Sequence, residues 1–268
     1  MRAALEEAAA AIGAVDARVL ACHLLGASRA WLIANPMHVL TESQDAQYES
    51  LVARRAMGMP VAYLTGTREF WGREFAVGPA VLIPRPETET LVEAALARLP
   101  AVGTALDLGS GSGAIAVTLA CERPGAAICA VDASAEALGV ARANAARHGA
   151  KVEFLHGSWY APVAGRRFDL VVANPPYVAE GDHHLGEGDL RFEPRAALTD
   201  GSRDGLDSLR AVIAGAPAHL APGGWLLVEH GWDQAPACRH LLAQAGFAEI
   251  ASVADLAGIA RVAGGRRQ

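Results

Sequence analysis

An α/β fold is what this sequence predicts: a largely parallel sheet with helices on both faces, preceded by a small helical bundle. Three observations predict it. From residue 102 onward strand-like and helix-like segments alternate, which calls for a parallel sheet covered on both sides. Residues 1–65 carry helical punctuation and almost no strand signal. Every unusual motif falls at the end of a strand segment, where ligands sit in open α/β sheets.

In chain order, residues 1–65 read as a helical domain. "LEEAAAAIG" and "VDARVLACHLLGAS" space apolar residues three and four apart and stop at Gly13 and Gly26. "TESQDAQYESLVARRAMG" offers Thr41 as N-cap and Gly58 as a stop. Residues 66–84 form a linker in which aromatic and polar residues alternate around Gly72 and Gly78, the pattern of a β-hairpin. In the last domain, residues 85–268, Pro86 suits the first turn of a helix, with Glu87 and Glu89 near its positive end. Then come "TALDLG", a helix from about Gly113, "AICAVD", a helix near 135–148, "VEFLHG" and "FDLVVANPPY". A helix near 204–220, "GWLLVEHG" and a helix near 234–245 complete the series.

The composition excludes several classes. The 268 residues are 52% hydrophobic, which makes the chain globular rather than disordered. Net charge is −6, and residues 1–75 hold seven Arg against eight Asp plus Glu, so neither part is a polyanion clamp by charge. Glu6 and Glu7 stand where a signal peptide needs an apolar run. The longest stretch free of charged residues, 211–228, is broken by Pro217, Pro222 and a Gly pair and does not read as a membrane span. A cytoplasmic protein is expected. The four cysteines form no CxxC pair, and in "GDHHLGEGD" adjacent histidines on a loop are expected to point apart, so no metal site is predicted.

"ALDLGSGSGAIAVTLA" is a strand, a glycine-rich turn and a helix start. Gly109, Gly111 and Gly113, with Ser110 and Ser112 between them, allow a tight turn and close approach of a ligand to the backbone. The turn alone does not choose between a dinucleotide and another nucleoside ligand. Asp132, ending the next strand, is placed to accept hydrogen bonds from ribose hydroxyls; the competing reading makes it a cap for the following helix. Ser158 and Trp159 follow the next strand, where an adenine would lie, with Trp159 offering a stacking face or simply packing the core. Asp107, just before the glycines, disfavours a pyrophosphate and welcomes a sulfonium ligand bearing an ammonium group, which favours S-adenosylmethionine.

"FDLVVANPPYVAEGD" ends a buried strand in an amide, two prolines and an aromatic ring. Pro175 and Pro176 have no N–H, and Asn174 and Pro175 are each biased towards extended geometry by the proline that follows. The result is a stiff corner that presents acceptors, suited to a planar –NH2 group, with Tyr177 supplying a flat face. Such a nitrogen is a poor nucleophile because its lone pair is delocalised. Holding its N–H bonds fixes its orientation and stabilises the charge that grows during attack, so no strong base is required.

At these residues the chain resembles the protein-glutamine methyltransferases that modify peptide chain release factors, the HemK/PrmC family. The shared segments are "PVAYLTGTREFWG", "LIPRPETE", "DLGSGSGAIA", "AVDAS", "NPPYV", "RFEPRAAL" and "LLVEHGW". The resemblance implies a Rossmann-like class I methyltransferase sheet and methyl transfer from S-adenosylmethionine to the glutamine of a Gly-Gly-Gln loop. By position, Gly109, Ser110, Gly111, Ser112, Gly113, Asp132, Trp159 and Asn174 would contact the cofactor. Asn174, Pro175, Pro176 and Tyr177 would hold the glutamine, and the N-terminal helices would dock a class 1 release factor. The enzyme is expected to act as a monomer without direct nucleic-acid binding. Two departures are visible: Ser158 stands where the family often has an acidic residue, and "DLAGIARVAGG" lacks the acidic residue often found just before Arg261.

Two rivals remain at this level. An enzyme methylating an exocyclic amine of adenine or cytosine would share the Asn-Pro-Pro-Tyr corner but needs a basic surface. A non-catalytic adaptor binding through the helical bundle leaves that corner unexplained.

Overall fold

The computed structural model describes residues 1–268, which divide into two compact units. One comprises Met1–Thr67 with Glu187–Phe192; the other comprises Arg68–Gly186 with Glu193–Gln268. No helix is long and apolar enough to cross a membrane.

The smaller unit is helical: α1 (Arg2–Ile12), α2 (Ala14–Leu25), α3 (Arg29–Ala34), α4 (Glu42–Ala56) and α5 (Val61–Thr65). Gly13 and Gly26 end the first two helices at positive φ, 84° and 59°. Thr41 caps α4 in a reciprocal box with Gln44. Leu20, Leu32, Tyr48 and Leu64 pack a small core, and the Tyr48 hydroxyl donates to the Ala17 carbonyl at 2.8 Å. The distant segment 187–192 joins this unit through Arg55, which pairs with both Asp16 (2.7 Å) and Asp189 (2.8 Å).

The larger unit opens with a hairpin, β1 (Thr67–Phe70) and β2 (Arg73–Ala76), which is shorter than the 66–84 linker predicted. Its two-residue loop has positive φ at both Trp71 (53°) and Gly72 (66°), the requirement of the hairpin turn that follows strand twist. The sheet follows: β3 (Thr104–Leu108), β4 (Ala127–Asp132), β5 (Val152–His156), β6 (Phe168–Ala173), β7 (Leu220–Glu229), β8 (Phe247–Ala254) and β9 (Ala260–Arg267). Their order is β5-β4-β3-β6-β7-β9-β8; β9 runs antiparallel to both its neighbours and the remaining pairs are parallel. The chain leaves β3 in one direction and returns to its other side at β6, which makes the carboxyl end of β3 the switch point.

Side chains alternate between two cores. Ala105, Leu170, Val172 and Leu227 face one, with Leu91 of α6 (Thr88–Leu96) and Ile115 of α7 (Ala114–Glu122). Leu106, Leu108, Val171 and Leu226 face the other, with Val212 of α10 (Asp207–His219) and Leu242 of α11 (Ala235–Gln244). The period-two pattern therefore assigns each strand residue to a face. Helix α8 (Ala135–His148) is capped by the Ser134 side chain, and the short α9 (Arg195–Leu198) follows Pro194.

The helix expected near 204–220 is α10, Asp207–His219, which contains Pro217 in its last turn. Two expectations need correction. Pro86 lies ahead of α6, not in its first turn, and Glu89 accepts the Trp71 N–H at 2.7 Å. His183 and His184 do not point apart, because a 3₁₀ turn brings their ring centroids within 3.9 Å and His184 Nδ1 within 2.7 Å of Asp182.

Candidate active site

Sheet register assembles the site. Leu108 pairs with Val131 on one side and Ala173 on the other, and Ala173 pairs with Val228. The next residues along these strands are Gly109, Asp132, Asn174 and Glu229, so four residues far apart in sequence form one row at the carboxyl edge. A cavity of about 460 Å³ opens there, within the usual range for small-molecule sites.

The glycine turn is one wall. The Gly109 and Ser110 amides donate to the Val131 carbonyl at 2.9 and 3.1 Å, which locks the turn to β4. Gly109, Ser110, Gly111 and Ser112 line the cavity. Gly109 needs to be glycine because its φ is 76°; a Cβ there would meet the Trp159 ring (3.8 Å) and the Asn174 carbonyl (3.9 Å) only at ordinary contact distance. Gly113 does not line the cavity. It is there to let helices meet, since a Cβ at its φ of 81° would sit 3.1 Å from the Ala141 Cβ.

Asp132 lines the cavity, with Oδ2 accepting the Gly111 N–H and Oδ1 the Ser134 N–H, each at 2.8 Å. The N-cap of α8 is Ser134, whose own N–H Asp132 accepts, so Asp132 supports the helix start as well as lining the cavity. Each carboxylate oxygen keeps a further lone pair. Ser158 and Trp159 also line the cavity, and Trp159 has the unusual φ of 44° for a bulky residue.

Asp107 is fully buried, and neither of its oxygens has a hydrogen bond of ordinary geometry; the nearby Ser110 hydroxyl is likewise without a partner. Burial pushes its carboxyl up to about 7, moderated by Ser110 and the Ala116 amide and reinforced by the Asp132 charge.

Asn174 and Pro176 line the cavity; Pro175 and Tyr177, expected at the substrate, do not. Pro175 is buried, and the Tyr177 ring packs with the second core. The Asn174 amide nitrogen donates to Thr88 Oγ1 at 3.2 Å, which leaves the amide oxygen free to accept. The Tyr177 carbonyl accepts from Gln234 Nε2 at 3.0 Å, and its hydroxyl donates to Glu229 Oε1 at 3.2 Å.

Sequence reasoning missed several members. Thr88 and Arg85, from "IPRPETE", line the cavity. Arg85 pairs with Glu193 of "RFEPRAAL", whose other oxygen accepts the Ile83 N–H at 2.9 Å. Opposite charges in two unexplained motifs were the available signal. Glu229 is buried, and desolvation pushes its carboxyl up to about 7, tempered by the Thr88 and Tyr177 hydroxyls and by Arg261, with Glu87 acting the other way. Arg261 has an acidic partner after all: Asp255, 3.0 Å from its Nε, where the chain folds back before β9.

The methyltransferase small domain family matches residues 86–188, and the PrmC N-terminal domain family matches residues 1–66. The chain is 54% identical to the release factor glutamine methyltransferase of Burkholderia pseudomallei, over 96% of this chain and 93% of that protein. It is 52% identical to the protein of that name from Xylella fastidiosa, over 98% of this chain and 97% of the other. A methyltransferase from Pyrococcus furiosus shares the fold at a TM-score of 0.57 and 17% identity, over 85% of this chain and 99% of that one. With this fold, this row of residues and relatives matched over almost its whole length, the chain belongs to the release factor glutamine methyltransferase family.

Proposed function

We propose that the chain transfers a methyl group from S-adenosylmethionine to the side-chain amide nitrogen (N5) of the glutamine in the Gly-Gly-Gln motif of peptide chain release factors. The observation that carries this reading is Asn174, which lines the cavity beside the glycine turn with its amide nitrogen tied to Thr88 and its oxygen free to accept. An acceptor in that place suits the N–H of a carboxamide.

When bound, S-adenosylmethionine supplies an electrophilic methyl on a sulfonium and carries an ammonium, a ribose and an adenine. The residues present fit it. The partnerless hydroxyl of Ser110 at the cavity wall suits a polar group of such a molecule, and the fully buried Asp107, outside the lining, adds negative charge nearby for its cationic part. Asp132 retains lone pairs for ribose hydroxyls, and Trp159 offers a flat apolar face to the adenine. Glycines at 109 and 111 leave room for close approach with Ser112 beside them on the cavity wall, while Gly113 lets the turn pack against α8.

On the substrate side, Asn174 Oδ1 accepts a carboxamide N–H and turns the nitrogen towards the methyl. Pro175 and Pro176 keep the corner rigid and free of competing donors, and Tyr177 anchors it. The proton is lost after transfer, when the nitrogen is strongly acidic, so the site needs orientation and charge stabilisation more than a strong base. The helical unit would recognise the protein substrate, and the enzyme would work as a monomer without nucleic acid. Its near-neutral charge and the exposed Ile33, Met37 and Val39 support a protein partner.

Incubation with methyl-labelled S-adenosylmethionine and either purified release factor or nucleic acid tests the reading. Label on the Gly-Gly-Gln glutamine is expected; label on nucleic acid alone would overturn it.

A further inference from the structure

The Asn-Pro-Pro-Tyr corner needs support from outside itself. Pro175 and Pro176 carry no N–H, so those two residues cannot tie the corner down, and its carbonyls need donors from elsewhere. The near end is secured by the pairing of Ala173 with Val228 and by the Asn174 amide on Thr88. The far end is secured by one side chain. Gln234, half-buried just ahead of α11, donates through Nε2 to the Tyr177 carbonyl at 3.0 Å and the Asp204 carbonyl at 3.2 Å. Its Oε1 accepts the Gly231 N–H at 2.8 Å, so both ends of the amide are engaged. Gly205 packs against the same Tyr177 carbonyl: at its φ of 65°, an added Cβ would collide with that oxygen. Beyond the corner, the Val178 N–H donates to the Leu198 carbonyl at 2.9 Å. Gln234 itself is not among the residues that line the cavity.

We infer that Gln234 is a positioning residue for methyl transfer, acting through the Tyr177 carbonyl to hold the whole corner in place. The prolines make the corner stiff, and a stiff corner moves as one piece. If its far end is released, the Asn174 oxygen shifts with it, and alignment of the accepting nitrogen with the methyl is lost. Gln234 stays out of the chemistry and touches no substrate atom. The inference rests on the reading of Asn174 as the glutamine acceptor.

The test compares Q234L, Q234E, G205A and N174A with the wild-type enzyme, using purified release factor and S-adenosylmethionine. Turnover, KM for the release factor and cofactor affinity are measured at a temperature where the thermal midpoint shows each variant folded. Q234L keeps much of the bulk without the hydrogen bonds, and should lower kcat roughly tenfold, the scale of a misplaced reacting group. KM and cofactor affinity should stay within about twofold, since the binding surfaces are untouched. Q234E keeps the length and the Gly231 contact but sets a carboxylate oxygen against two carbonyls, and should be the poorer of the two. G205A pushes the same carbonyl from its other side and should show the same separation of kcat from KM. A residue that only stabilised the fold would lower the midpoint and leave kcat unchanged in the folded enzyme. Wild-type turnover in folded Q234L or folded G205A would therefore overturn the inference. So would a loss of cofactor affinity as large as the loss of turnover. If Q234E does not fold, Q234L and G205A decide. Loss of activity in N174A together with full activity in Q234L would remove only this inference; full activity in N174A would remove the glutamine reading itself.

Discussion

The sharpest electrostatic consequence concerns Asp107. Its carboxyl is fully buried, is held near about 7 instead of 3.8, and lacks a hydrogen bond of ordinary geometry. The folded protein therefore holds this proton more tightly than the unfolded chain does. Asp107 contributes stability that is fully present below about pH 4 and is lost as pH rises through about 7. The gap between the two values corresponds to on the order of 4 kcal/mol. Asp107→Asn removes the titration. Urea unfolding at pH 5, 6, 7 and 8 should show the variant gaining on the wild type as pH rises, by a few kcal/mol across the range. Glu229 titrates in both proteins, so the difference between their curves isolates Asp107. The cofactor should behave oppositely. Its positive charge would relieve the buried carboxylate nearby, so the variant should bind S-adenosylmethionine more weakly than the wild type. Parallel stability curves from pH 5 to 8 would refute the argument, because they would mean that Asp107 ionises as easily in the folded protein as in the unfolded chain.

Two further outcomes follow from packing. Glu193→Ala would strand the Arg85 guanidinium and the Ile83 N–H at the cavity wall, and should cost about 3–5 kcal/mol by urea unfolding, with weaker cofactor binding. Gly113→Ala would force a side chain into positive φ and to within 3.1 Å of Ala141. It should cost about 1–3 kcal/mol in thermal stability.

What the sequence made legible was governed by local physics. The alternation after residue 102 announced the parallel sheet, Thr41 announced its own capping box, and the glycine turn announced a ligand wall. What stayed hidden depended on register and on contacts between distant segments. Thr88 meets Asn174 across 86 residues and Arg85 meets Glu193 across 108, and no periodicity encodes such pairs. Tyr177 was read as a stacking face because an aromatic after two prolines suggests one. Only the pairing of Ala173 with Val228 shows that a buried carboxylate waits for its hydroxyl. The missing acid beside Arg261 was a question of proximity in space, which Asp255 answers from six residues away.

The central claim is that a rigid acceptor at Asn174 aims a glutamine nitrogen at the methyl donor, and Asn174→Ala tests it most directly. Cofactor affinity and methyl transfer to purified release factor should be measured on the same preparation. The account predicts affinity close to wild type and turnover lower by roughly 10²–10³, the effect of removing one aligned polar group from a transition state. Wild-type turnover in that variant would contradict it.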